Sequence, residues 1–216
     1  MFTSITNLLQ RLHAMLLLIA FCGVTALASA ADNEVTINTP SANTTWVPAY
    51  LAYNNTRAEM VYTASQLSAI GSDQQIVSVA FDGVTATTLP DVEFVLYVKE
   101  TTASQVTTDK SDLSQFTKIF DGKATIHANS SMQQYEEILH LDLDTPFAYT
   151  EGKGLHFVFF THSTTKNAEV RFAYRSQSKA SGLSWWDDGK EEEERPSLYP
   201  TNYSPVMRLG VKGVGD

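Results

Sequence analysis

The sequence predicts an all-β fold, a jelly-roll-like antiparallel β-sandwich of about ten strands behind an export signal. Three observations predict it. First, Gly154–His162 is apolar on both strand faces: Leu155, Phe157 and Phe159 share one parity, and Val158 and Phe160 share the other with His156. A half-exposed strand alternates apolar with polar, so this run belongs inside a two-layer structure. Second, short β-prone runs recur along the chain at roughly even spacing, with turn residues between them and almost no helical periodicity. Third, the only cysteine, Cys22, lies in the leader, so a buried core rather than a disulfide must hold the domain.

The leader spans 1–30. Arg11 is its only full charge, an apolar stretch runs from Met15 to Phe21, and Ala28-Ser29-Ala30 offers the small-x-small pattern of a signal peptidase site. The apolar stretch is shorter than the ~20 residues of a membrane-spanning helix. Phe21 before Cys22 is too bulky for a lipobox. Cleavage after Ala30 leaves residues 31–216, a length suited to one domain. It moves the formal charge from −9 to −10, because Arg11 is the one basic residue lost. That charge argues against nucleic acid or an anionic membrane surface as partner.

From 31 to 45 a polar leader holds a short edge strand at 35–38, and the sandwich proper is expected over 46–216. Segment 46–55 is dense in aromatics but contains Pro48, which cannot donate to a central ladder, so it reads as an edge or a packed loop. A strand resumes at 59–63, and 64–70 reads as a short helical turn ended by Gly71. Strand 75–82 directs Val77, Val79 and Phe81 inward; strand 92–99 does the same with Phe94, Leu96 and Val98. A Thr/Ser-rich connection covers 101–115. Asp121-Gly122 between two β-prone runs, 117–120 and 123–127, signals a hairpin. Leu139, Leu141 and Leu143 share one face, and His140, Asp142 and Asp144 the other, until Pro146. Strands at 154–162, 169–174, 183–186 and 206–211 follow, with an acidic loop over 187–194.

Several of these stretches together resemble the β-sandwich modules of Bacteroidetes secreted and surface proteins. They are Trp46-Val47-Pro48-Ala49-Tyr50, Met60-Val61-Tyr62-Thr63-Ala64-Ser65-Gln66-Leu67, Val95 to Thr102, Ile119-Phe120-Asp121-Gly122, Asp142 to Tyr149, and Met207-Arg208-Leu209-Gly210. The resemblance implies a jelly-roll-like, adhesin-type module outside the cytoplasm. It carries over no catalytic residues.

Catalytic patterns are sparse. His127, His140, His156 and His162 include no His-Glu-x-x-His pair, and His156 and His162 stand about 20 Å apart on a regular strand. Gly182-Leu183-Ser184 lacks the second glycine of a nucleophile elbow. Asp142 and Asp144 fit a solvated strand face better than a glycosidase pair. The expectation is therefore a protein that is not an enzyme and needs no cofactor. Asp187 and Asp188 with Glu191–Glu194 form a weak calcium candidate, without the spacing of a calcium-binding loop.

The aromatics are more informative. Trp185 and Trp186 are adjacent, so in a strand they face opposite ways, and Tyr199 and Tyr203 lie just beyond. Aromatic platforms stack on sugar rings while nearby polar groups meet hydroxyls. Trp185, Trp186, Tyr199 and Tyr203 are the expected ligand-binding residues, for a neutral glycan or a host or cell-surface protein. The other expectation is a surface or matrix subunit that self-associates through strand edges.

Overall fold

The structure is a computed structural model that describes residues 33–41, 43–107, 109–189 and 198–214. The predicted export signal, Cys22 and Glu191–Glu194 lie outside these residues. In chain order the strands are β1 (Asn33–Ile37), β2 (Thr44–Thr45), β3 (Asn55–Tyr62), β4 (Gln74–Val84) and β5 (Leu89–Thr101). There follow β6 (Thr117–Ile126), β7 (Glu136–Ala148), β8 (Gly154–His162), β9 (Arg171–Ser176) and β10 (Gly182–Asp187). The last are β11 (Tyr199–Thr201), β12 (Tyr203–Pro205) and β13 (Met207–Gly213).

They form two antiparallel sheets. One has the order β11-β10-β3-β8-β5-β6; the other runs β1-β13-β4, with β7 also paired to β4 and β9 meeting β4 at its end beside β2 and β12. From β3 onward the chain passes repeatedly from one sheet to the other, which fits the expected jelly-roll-like sandwich. Among the described residues no helix is long and apolar enough to cross a membrane.

The run that is apolar on both faces is interior, as its pattern requires. β8 lies between β3 and β5, pairing Phe159 with both Ala58 and Leu96. Phe157 and Phe159 are fully buried, and Phe159 meets Phe81 of the opposite sheet edge-on at 5.3 Å. Sheet-to-sheet contact of this kind defines the core.

Four local expectations are corrected. Asp121-Gly122 makes no hairpin: β6 runs straight through it, because the single partner β5 continues past it to both sides. Asp121 is held instead by Lys118 at 2.6 Å, and its N–H donates to Asp144 at 2.8 Å. Residues 64–70 form turns rather than helix, with Leu67 and Ile70 buried beneath them. Val77 is only half-buried, because an irregularity between Ile76 and Ser78 puts Ile76 into the core in its place. Finally, β3 begins at Asn55, four residues earlier than expected, and is buried along nearly its whole length.

Candidate functional site

β10 places its two tryptophans on opposite faces of the sheet. Trp185 is in register with Arg57 and Trp186 with Thr56. Trp185 is buried against Val61, Val106, Leu183 and Leu198, on the face turned away from the sandwich. Of the four expected ligand-binding residues it is the one set apart from the other three, because strand parity turns it into this apolar cluster.

Trp186 belongs to the other face, where the sandwich opens at its edge. Segment 46–54 packs there as a loop, and its rings join those of β10 and β11. Tyr50 meets Trp46 at 4.9 Å, Tyr53 at 5.2 Å and Trp186 edge-on at 5.1 Å; Trp186 meets Tyr199 at 5.7 Å. The chain then crosses at Asn202 from one sheet to the other, and Tyr203 packs on Tyr174 at 4.4 Å. These elements enclose a cleft of about 170 Å³ between Trp46, Tyr50, Trp186, Tyr199 and Tyr203.

Trp46, Tyr199 and Tyr203 are 41%, 59% and 37% exposed, and they are three of the five large apolar side chains exposed among the described residues. Converging on one cleft, they form the kind of apolar patch that marks a binding surface. Among the described residues its lining carries no charged side chain; the polar contributions come from Thr45, Thr56, Ser184 and Thr201 and the phenols. The Thr56 hydroxyl is engaged by the backbone of Tyr50, at 3.2 Å both from its N–H and to its carbonyl. The Arg171 guanidinium lies 4.9 Å from the Trp46 ring and firms its position. Trp46 and Tyr50 were not foreseen here, although the aromatic-x-Pro-x-aromatic segment was a usable signal.

The outer face of the same sheet holds a second polar arrangement. Glu59 is fully buried and accepts from Arg57 Nη2 at 2.6 Å, from the Ser111 hydroxyl at 2.6 Å and from the Ser111 N–H at 3.0 Å. His156 Nε2 stands 3.0 Å from its second oxygen. Burial pushes the Glu59 carboxyl up, but the hydrogen bonds from His156 and Ser111 and the charge of Arg57 outweigh it and hold the group at about 2. A serine–histidine–acid relay needs the imidazole between hydroxyl and acid. Here the carboxylate stands between them and accepts the hydroxyl's hydrogen bond, so the arrangement ties the β5–β6 connection down onto β3.

The remaining candidates resolve as follows. His140 lies between Glu137 and Asp142 at 3.2 Å from each, and His162 contacts Asn55 at 2.8 Å. Asp188 is paired to Lys166 at 2.6 Å and accepts the Asn54 N–H at 3.2 Å, while Asp187 accepts the Gly189 N–H at 3.0 Å. Among the described residues no three His, Cys, Asp or Glu side chains gather as metal ligands.

No family model and no curated protein matches the chain. A solved structure similar to it contains the cysteine protease and lectin-like domains of Cwp84, a surface layer associated protein of Clostridium difficile. The match has 14% identity and a TM-score of 0.39, and covers 74% of this chain and 32% of that one. The chain thus spans about a third of the length of the protein it matches.

Proposed function

We propose that this protein is an exported, non-catalytic binding module at the cell surface or beyond, and that it takes a neutral glycan in the aromatic cleft. One observation carries this reading: three exposed aromatic rings converge on an uncharged cleft. Sugar rings present C–H faces to indole and phenol rings, and their hydroxyls find Ser184, Thr201 and the phenolic groups. An acidic chain with an uncharged cleft disfavours anionic glycans there. Binding is weak, because a cleft of about 170 Å³ covers only one sugar ring's worth of surface.

A glycan array with and without calcium, followed by calorimetry on the best ligand, tests the reading. Trp186→Ala and Tyr199→Ala, each checked for retained folding, are expected to reduce affinity at least tenfold. Binding that survives the joint loss of Trp186, Tyr199 and Tyr203 would overturn the cleft. Binding that requires calcium would move attention to Asp187 and Asp188. Capture of a host or cell-surface protein through the same residues would replace the glycan as partner.

A second reading is a self-associating surface subunit. It is favoured by β1, which among the described residues pairs only with β13 and so leaves one backbone edge open. Light scattering at rising concentration, with and without a proline at Thr36, separates the two readings.

A further inference from the structure

At one end of the first sheet, three connections meet: the turn after β3, the residues following β5, and the segment between β9 and β10. Two cavities of about 250 and 320 Å³ lie among them and share Thr63, Ser65 and Ser104 in their walls, so they form one groove. Its lining has an unusual balance. Among the described residues neither cavity is lined by an Asp or Glu, and the one full charge is that of Lys179. The rest is largely hydroxyl and amide: Thr63, Ser65, Thr101, Thr102, Ser104, Ser178 and Ser181 with Gln66 and Gln177.

Part of this lining is spoken for. Gln66 receives the Thr63 N–H and hydroxyl at 2.8 and 2.9 Å and donates to Asn38 at 2.8 Å. Lys179 reaches across the groove only as far as 3.5 Å from the Ser104 hydroxyl. Ser181 is different in kind. It is 6% exposed, and its buried hydroxyl has no hydrogen-bond partner among the described residues. Its position is fixed, because its carbonyl accepts the Val61 N–H at 2.9 Å and its own N–H donates to Thr201 at 3.0 Å. Ser181 has the strand parity of Leu183 and Trp185, and with Val61 it lines the groove. Buried hydroxyls are ordinarily satisfied, and one that is not asks for a partner.

We infer that this groove binds an anionic group, a carboxylate, sulfate or phosphate, held by the Lys179 ammonium and by hydroxyl donors led by Ser181 and Ser104. The Thr63 and Ser65 hydroxyls meet each other at 3.0 Å and that of Thr101 accepts the Ala103 N–H at 3.0 Å. The remaining hydroxyls and the Lys179 ammonium can donate, and an ammonium with no carboxylate beside it among the described residues favours an acceptor of negative charge. The site is separate from the aromatic cleft, which lies on the opposite face of β10, and it needs neither Trp186 nor Tyr199.

The test is a titration of the ¹⁵N-labelled mature chain with sodium acetate, sulfate and inorganic phosphate, at ionic strength held constant with chloride. Saturable amide shifts are expected at Ser104 and from Ser178 to Gly182, with the strongest of the three anions naming the class. Lys179→Gln is expected to weaken that binding at least tenfold. Ser181→Ala is expected to weaken it while leaving thermal stability in anion-free buffer unchanged or raised, since it removes an unpartnered hydroxyl. Trp186→Ala is expected to leave it unchanged, so failure of the glycan reading and failure of this one are told apart. Shifts that chloride reproduces, that do not saturate, or that survive both Lys179→Gln and Ser181→Ala would overturn the inference.

Discussion

At Glu59, donors from Arg57, Ser111 and His156 meet on one fully buried carboxylate. A carboxylate held at about 2 in the folded chain, against an ordinary 4.5, stabilises the fold above the unfolded value and loses that contribution as pH falls from 4.5 towards 2. The contribution at neutral pH is on the order of 3 kcal/mol. Urea midpoints of the wild type should therefore drop across this window. Glu59→Gln should be less stable at pH 7, since it strands a buried guanidinium, and should drop less. Parallel curves for the two proteins would show that Glu59 is not the group responsible. At Phe157 the argument is packing. Phe157→Ala leaves a cavity between the sheets and should cost about 3–5 kcal/mol, read from the urea midpoint at constant slope. Phe157 was legible in the sequence because two flanking Phe-rich parities leave no wet face. The burial of Arg57 and Glu59 was not, since charged residues in a strand ordinarily mark its solvent side.

Strand contacts set the next scale. β4 and β9 meet only at Gly83 and Val84, and a Cβ on Gly83 would stand 2.3 Å from the Arg171 carbonyl oxygen and 2.5 Å from Ile138 Cδ1. Gly83→Ala should therefore force β9 away from β4 and cost about 1–3 kcal/mol. Because β9 carries Tyr174, which supports Tyr203, the same substitution should also weaken ligand binding in the cleft. A Gly83→Ala protein with unchanged thermal midpoint would show that the strands separate freely there. The β5–β6 connection is tied down by Ser111 on Glu59 and by the Val106 N–H on Ala180 at 3.0 Å. Ser111→Ala should accelerate hydrogen exchange at Val106 more than at the β8 amides, since only the connection loses an anchor. The hairpin reading failed because strand pairing overrides a local turn signal. Asp121-Gly122 carries a hairpin signal locally, but β5 pairs across it on both sides and overrides it.

For the molecule as a whole, the proposed export predicts that mass spectrometry of the secreted protein gives a chain starting at Ala31; an intact Met1 or a lipid on Cys22 would refute the leader. The two-sheet architecture was readable in advance, because hydrophobic parity is a local property: each strand records in its own residues whether one face or both are buried. For the same reason the opposite orientation of Trp185 and Trp186 needed no structure. Which of the two would reach the cleft did need one. Parity fixes that neighbours diverge, but only the packing of Leu198 and Val106 over one face decides that Trp185 is closed in. Likewise Trp46 and Tyr50 lie more than a hundred residues from Trp186, and the cleft exists only because the 46–54 loop folds onto the edge that β10 and β11 complete. The sequence by itself determined the two-sheet class, the interior strand and the aromatic supply. The tertiary structure alone decided which rings share a cleft, which hydroxyls are left without a partner and which charges are buried, because those depend on contacts between residues that no local pattern connects.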